Sequence, residues 1–255
     1  MTIVPLPHTL DSSSMYGLIK NLINEYNQPI HNNVTFDFSS LVFIKPVGIT
    51  ILSNLIEWLY RKEVKFGFQN HTKYTHANKY LDDSLFFLQY TQVLVFPLSS
   101  IRPTTIPLQL VKHEESYSWI EHRLLPWLSR RLNMTPRSFE TIKICLQELF
   151  NNINDHAQQK TGSIFVQQYP KKNIINIALS DVGVGIPYNI CKKVDQANDS
   201  LAILLATTEG FTTRSTPRNA GAGLDIFLQV LARNNGNAAI YSNRGALSCI
   251  TSHRS

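Results

Sequence analysis

The chain predicts an α/β protein of the α+β kind, built as two modules. Three observations lead there. Short runs of branched and aromatic residues alternate with segments whose apolar residues recur at helical spacing. A length of 255 residues fits one large domain or two small ones. A stretch over 89–105, holding Pro97, Ser99, Ser100, Pro103, Thr104 and Thr105, breaks the pattern near the middle.

The elements follow in order. Ile3-Val4-Pro5-Leu6 is a short strand. Asp11 stands where a helix over about 14–26 needs its cap, and Tyr16, Leu18, Ile19, Leu22 and Ile23 form that helix's apolar stripe. Residues 34–38 alternate as a strand does, and Leu41-Val42-Phe43-Ile44 is a short apolar run. Gly48 opens a helix to about Arg61, with Ile51, Leu52, Leu55, Ile56 and Leu59 on one side. Residues 65–68 are a strand and 80–88 a last helix. The 89–105 stretch then separates a first module, 1–95, from a second, 106–255. In the second, 108–111 reads as a strand and 116–132 as a helix. Thr135 as cap and Pro136 in the first turn start a helix to about Ala157. Strands at about 163–169 and 174–180, a helix near 199–206 and another over about 224–233 come next. Residues 238–242 and 246–250 close as a hairpin around Asn243-Arg244-Gly245.

Composition narrows the class. Apolar residues make up 43% of the chain, enough for a packed core, and charged residues 16%. No run approaches the ~18 consecutive apolar residues of a membrane helix, so no membrane association is expected. Met1-Thr2-Ile3-Val4-Pro5 lacks a basic region before an apolar run, so no secretory signal is expected either. Cys145, Cys191 and Cys249 are odd in number and far apart, which argues against a disulfide framework or a Cys-x-x-Cys metal site. The reading is a cytoplasmic protein of a reducing compartment. The net charge of +6 lies mostly in the second half, since residues 1–105 carry 8 basic against 7 acidic side chains. Arg130-Arg131, Lys171-Lys172 and Lys192-Lys193 are scattered and have no interleaved aromatics, so a nucleic-acid partner is not expected.

Three segments carry chemistry. In Glu148-Leu-Phe-Asn-Asn152-Ile-Asn-Asp-His156, the residues Glu148, Asn152 and His156 recur every fourth position and drift by only about 40° per step, so they share a helix face. A carboxylate, an amide and an imidazole in one row make a polar site or a solvated face. In Ala178-Leu-Ser-Asp181-Val-Gly183-Val-Gly185-Ile-Pro187, an apolar strand ends in an aspartate followed by alternate glycines. Asp181 can accept from an exocyclic amine, and the glycines allow close approach and positive φ; a tight turn with an Asx cap has the same pattern. In Gly210-Phe-Thr-Thr-Arg214-Ser-Thr-Pro-Arg218-Asn-Ala-Gly221-Ala-Gly223-Leu224, a basic loop enters a helix through Gly-x-Gly. A helix N-terminus suits phosphate, and Arg214 and Arg218 can add charge-assisted bonds; a plain surface loop fits as well.

In this order the three segments resemble the Bergerat-fold (GHKL, HATPase_c) ATP-binding family. That superfamily includes DNA gyrase, a heat-shock chaperone family and histidine kinases. Asn-Asp-His-Ala and the spacing are most similar to its anti-sigma-factor serine kinase branch. The resemblance covers roughly 106–255 and implies a two-layer α/β sandwich that binds ATP and Mg²⁺. It implies that Asn152 coordinates the metal and that Glu148 is the general base toward a serine hydroxyl or water. Asp181 would hold the adenine amine, with Gly183 and Gly185 shaping its pocket. Gly221 and Gly223 would meet the phosphates under a lid over about 208–222. His156 would flank the site, and Thr213, Arg214, Arg218 and Leu224 would complete the nucleotide-binding set.

Within the first half, Asp37-Phe-Ser-Ser-Leu-Val-Phe-Ile-Lys45-Pro46-Val47-Gly48-Ile-Thr-Ile-Leu52 is similar to the central motif of anti-sigma-factor antagonist (STAS) domains. Those domains carry Asp-Ser-Ser-Gly where this chain has Lys-Pro-Val-Gly, so the acceptor hydroxyl is missing and Ser39 and Ser40 lie too early. A docking or regulatory module is the expectation for 1–95. The partner implied is a regulatory protein of the STAS-domain or sigma-factor kind, and a homodimer stays open. The readings carried forward are a protein serine kinase or ATPase, a nucleotide-gated binding module without turnover, and a sensor-histidine-kinase-like protein. Glu121-His122-Arg-Leu-Leu-Pro126 resembles a phospho-acceptor box only faintly. Too little chain precedes the Glu148 helix for a dimerising hairpin, so His122 reads as a helix-surface histidine.

Overall fold

Branched and aromatic residues put a parallel sheet at the centre of the first half. In the computed structural model, which describes residues 1–132, 135–192, 194, 198–208 and 223–250, the chain is mixed α/β with several sheets. It begins β1 (Thr2–Pro5), β2 (Thr9–Leu10), α1 (Met15–Lys20), β3 (Asn33–Asp37), β4 (Phe43–Ile44), α2 (Pro46–Arg61), β5 (Lys65–Gln69), α3 (His76–Asp83) and α4 (Phe86–Thr91). The sheet β1-β3-β5 is parallel, with Val4 opposite Phe36 and Phe36 opposite Phe68. Parallel neighbours need a crossover, and α2 lies on the one between β3 and β5. Pro46 fits its first turn, where no N–H donor is needed. Ile49, Leu52, Leu55, Ile56 and Leu59 are its buried face. β2 and β4 form a separate parallel pair.

The chain continues with β6 (Thr105–Lys112), α5 (His113–Trp119), a π-helical turn (Ile120–Leu124), α6 (Leu125–Ser129) and α7 (Pro136–His156). Then come β7 (Ala157–Tyr169), a 3-10 turn (Pro170–Lys172), β8 (Ile174–Gly183), α8 (Ile186–Ile190), α9 (Asp199–Ala206), α10 (Gly223–Arg233), β9 (Ala238–Ser242) and β10 (Gly245–Cys249). β6, β7 and β8 are neighbours in one sheet, and β9 pairs antiparallel with β10 as the Asn243-Arg244-Gly245 turn predicts.

Two compact units emerge: Met1–Leu110 with Gly162–Val182, and Val111–Thr161 with Gly183–Ser255. They differ from the consecutive segments 1–95 and 106–255. The reason is the apolar core of the first unit. Phe36, Phe38, Phe86 and Phe87 pack with Leu108 and with Phe165 of β7, all six almost wholly buried. Phe38 meets Phe68 edge-on at 5.5 Å, and Tyr80 meets Phe165 edge-on at 6.0 Å, geometries that add about 0.5–1.5 kcal/mol each to simple burial.

The 89–105 stretch is also tied down rather than left as a linker. Asp82, fully buried on α3, accepts from the backbone N–H of Val95 and of Phe96 and from the Ser99 hydroxyl. Asp83 accepts from Ser100 N–H and pairs with Arg102 and Lys79. Other differences are local. The helix expected over 14–26 ends at Lys20. Asp11 does not cap it; the Asp11 carboxylate takes Lys45 Nζ at 2.7 Å and Ser13 instead, and these hydrogen bonds hold it well below the usual carboxylate range. Leu85, with φ +61°, separates α3 from α4 where one helix was expected. The helix expected over 116–132 is interrupted by the π turn.

Candidate functional site

Thr135 caps α7 as expected, its hydroxyl accepting from Ser138 N–H at 3.2 Å. The helix then buries Cys145, Leu146, Phe150 and Ile153, and packs along α5 and α10. That packing orients the polar row beside the apolar one. Glu148 and Asn152 are half-buried and one helical turn apart on α7. Glu148 Oε1 accepts from Asn151 Nδ2 at 3.3 Å, and Asn151 Oδ1 meets His113 Nε2 at 3.1 Å. Burial, reinforced by the nearby Glu148 carboxylate, pushes the Cys145 thiol up to about 11, so it stays protonated and unreactive near neutrality.

The row His113–Asn151–Glu148 escaped the sequence reading. Asn151 lies between the motif residues, and His113 is 35 positions upstream of Glu148. No spacing rule joins them. An anchored carboxylate on one helix turn with an amide oxygen has the composition of a base beside a metal ligand.

Asp181 ends the apolar run of β8 and is exposed. It belongs to the first unit, while Glu148, Asn152, Gly183, Gly185, Gly223 and Leu224 belong to the second. Gly185 has φ +82°, a backbone conformation that favours glycine, and a Cβ there would meet the side-chain ends Asn243 Oδ1 at 2.7 Å and Ser242 Oγ at 2.9 Å. Ile186 N–H donates to Ser242 Oγ at 2.8 Å, tying the turn to β9. Gly183 is the last residue of β8. Gly223 and the half-buried Leu224 open α10. The side chain of His156 and residues Thr213, Arg214, Arg218 and Gly221 lie outside the described residues, as does nearly all of the expected lid. His122 is exposed on the π turn.

A shallow pocket of about 330 Å³ follows Gly185, lined by Pro187, Tyr188, Cys191, Lys192, Asp199 and Asn243. Among the described residues, none of the expected site residues lines it. Among the described residues, no three His, Cys, Asp or Glu side chains gather to hold a metal by themselves. In nucleotide sites, phosphates and waters supply most of the ligands of magnesium. None of the described helices is long and apolar enough to cross a membrane.

In the first unit, the turn that leads into α2 is closely packed. A Cβ on Gly48 would lie 2.3 Å from the Leu10 carbonyl oxygen, and Lys45 N–H donates to that same oxygen. None of Lys45, Pro46, Val47 and Gly48 has a hydroxyl, whereas Ser39 and Ser40 are exposed before β4. Compared with known proteins, the chain matches no family model, no curated protein and no solved structure.

Proposed function

We propose that the chain is an ATP-binding regulatory protein that joins a STAS-like module to a Bergerat-type nucleotide site and controls a protein partner. Mg-ATP would be bound through Asp181 at adenine, Gly183 and Gly185 beside it, and Asn152 at the metal-bridged phosphates. Gly221, Gly223, Leu224, Thr213, Arg214 and Arg218 would face the phosphates, and His156 would flank them. The bound nucleotide supplies a transferable phosphoryl group, whose transfer depends on positioning and charge neutralisation. Glu148 would take the proton from the attacking hydroxyl. The observation that carries the reading is Gly185: its +82° φ favours glycine where the nucleotide motif has it, two residues after β8, the strand that holds Asp181 near its end.

Chemistry is favoured over nucleotide-gated binding alone by the bond from Asn151 to Glu148 and the His113 contact behind it. A binding module has no need of an oriented base. The first unit would dock the partner. The Gly48 contact supports the STAS-like reading of that turn, and the missing hydroxyl leaves it without a phosphate acceptor.

The test is label transfer from ATP-Mg to candidate partner proteins. Glu148→Ala is expected to abolish transfer or hydrolysis with ATP affinity kept within about threefold, because a base acts mainly in the transition state. Turnover that survives in Glu148→Ala would remove the catalytic reading and leave the binding module.

A further inference from the structure

Four polar residues lie along α2 at helical spacing, at Thr50, Ser53, Asn54 and Glu57, on a helix otherwise buried by leucine and isoleucine. Thr50 bonds within its own helix, to the Val47 carbonyl. Ser53 and Asn54 do not. Ser53 Oγ, fully buried, lies 2.6 Å from Tyr90 Oη and 3.1 Å from Ser163 Oγ on β7. Ser163 Oγ, also buried, donates to Asn54 Oδ1 at 2.6 Å. Asn54, 7% exposed, then donates from Nδ2 to the backbone carbonyl of Asp181 at 3.1 Å. All of these residues belong to the first unit. The Arg61 guanidinium, two turns further along α2, is close enough to feel the Asp181 charge.

We infer that Asn54 is a positioning residue for the nucleotide base: through the Asp181 carbonyl it fixes the backbone from which the Asp181 carboxylate projects. The inference rests on the nucleotide-site reading and deepens it. A side chain leaves the backbone along the Cα–Cβ bond, so a pinned carbonyl also restricts where the carboxylate reaches. A single base-reading hydrogen bond needs that position held to within about 0.5 Å. The Ser163 hydroxyl fixes which way the Asn54 amide faces, because it occupies the acceptor oxygen and leaves the NH₂ for Asp181. The α2 helix of the STAS-like segment thereby contributes to adenine recognition without touching the base. Ordinary packing does not require this arrangement, since an apolar residue at position 54 would suit a buried helix face without satisfying a strand carbonyl.

The readout is base selectivity. An aspartate accepting from the exocyclic amine of adenine rejects guanine, which presents a carbonyl oxygen there. ATP and GTP are titrated in competition against a labelled adenine nucleotide on the full chain, for wild type, Asn54→Ala and Ser163→Ala. Asn54→Ala is expected to lower the ATP-over-GTP preference about tenfold. Ser163→Ala, which removes one hydroxyl and no backbone contact, is expected to lower it about threefold, and it decides the matter if Asn54→Ala fails to fold. Equal losses for ATP and GTP would mean a merely structural role and overturn the inference, as would an unchanged preference in both variants. A wild-type chain that binds neither nucleotide would overturn the nucleotide-site reading itself, and this inference with it.

Discussion

Truncating Phe165 tests whether the β7–β8 segment is part of the first unit's core. Phe165 is completely buried, and its ring stands at 88° to that of Tyr80, a residue of α3. Its removal deletes a full aromatic side chain from the cluster holding Phe36, Phe38, Phe86 and Phe87. Phe→Ala at such a site costs about 3–5 kcal/mol, combining lost burial with an unfilled cavity. Against a typical stability of about 5–15 kcal/mol, that is a large fraction of what holds the unit folded. Amide exchange follows through opening of the unit. At about 1.4 kcal/mol per tenfold, protection in β3 and β5 should fall by roughly 10² to a few times 10³. Hydrogen exchange with fragment resolution reads this directly. If protection falls in α7 and α10 while 33–37 and 65–69 are unchanged, Phe165 belongs to the other unit and the reasoning is wrong.

Two further outcomes concern the first unit. Asp82→Ala strands the N–H groups of Val95 and Phe96 and the Ser99 hydroxyl, and should cost roughly 3 kcal/mol in urea denaturation, with Asp82→Asn losing about half as much because one acceptor oxygen remains; a loss below about 1 kcal/mol for the alanine variant would show that 93–99 is not held by this carboxylate. Burial among Phe38, Phe68 and Phe87 lowers the His71 pKa, so the unfolded chain takes up that proton more readily and stability should fall as pH drops below about 6.5 toward the depressed value, and level off above. His71→Phe should flatten this part of the pH–stability curve, and a curve parallel to wild type between pH 7.5 and 5 would contradict the assignment.

Much of the secondary structure was legible, for local reasons. Pro136 marks a helix start because proline suits a first turn, and the structure begins α7 there; the helix expected from Gly48 begins two residues earlier, at Pro46. The alternation in 34–38 and the apolar run ending at Asp181 are strand signals that need no partner to be read. Long-range pairing was not legible. The stretch holding Pro97, Ser99, Ser100 and Pro103 has the composition of a linker, yet Asp82 and Asp83 hold it from α3, 13 or more residues upstream. Nothing in Ile164-Phe165-Val166 says which core they enter; three consecutive apolar residues fit either unit. The candidate site divides in the same way. The candidates Glu148, Asn152 and Asp181 are read from spacing and from the end of an apolar run, whereas His113, Asn151, Asn54 and Ser163 are joined by contacts between distant parts of the chain. A hydrogen-bond partner chosen by the fold leaves no periodic trace.

Mg-ATP binding through Asp181 is the step on which the proposed function depends. Calorimetric titration of the full chain with ATP and Mg²⁺, repeated on Asp181→Asn, tests it most directly. Wild type should show saturable one-site binding that needs Mg²⁺. In Asp181→Asn the affinity should be at least about tenfold lower, since the amide loses part of its acceptor capacity toward the adenine amine, a difference of about 1.4 kcal/mol or more. No heat of binding in wild type, or equal affinity in Asp181→Asn, would contradict it.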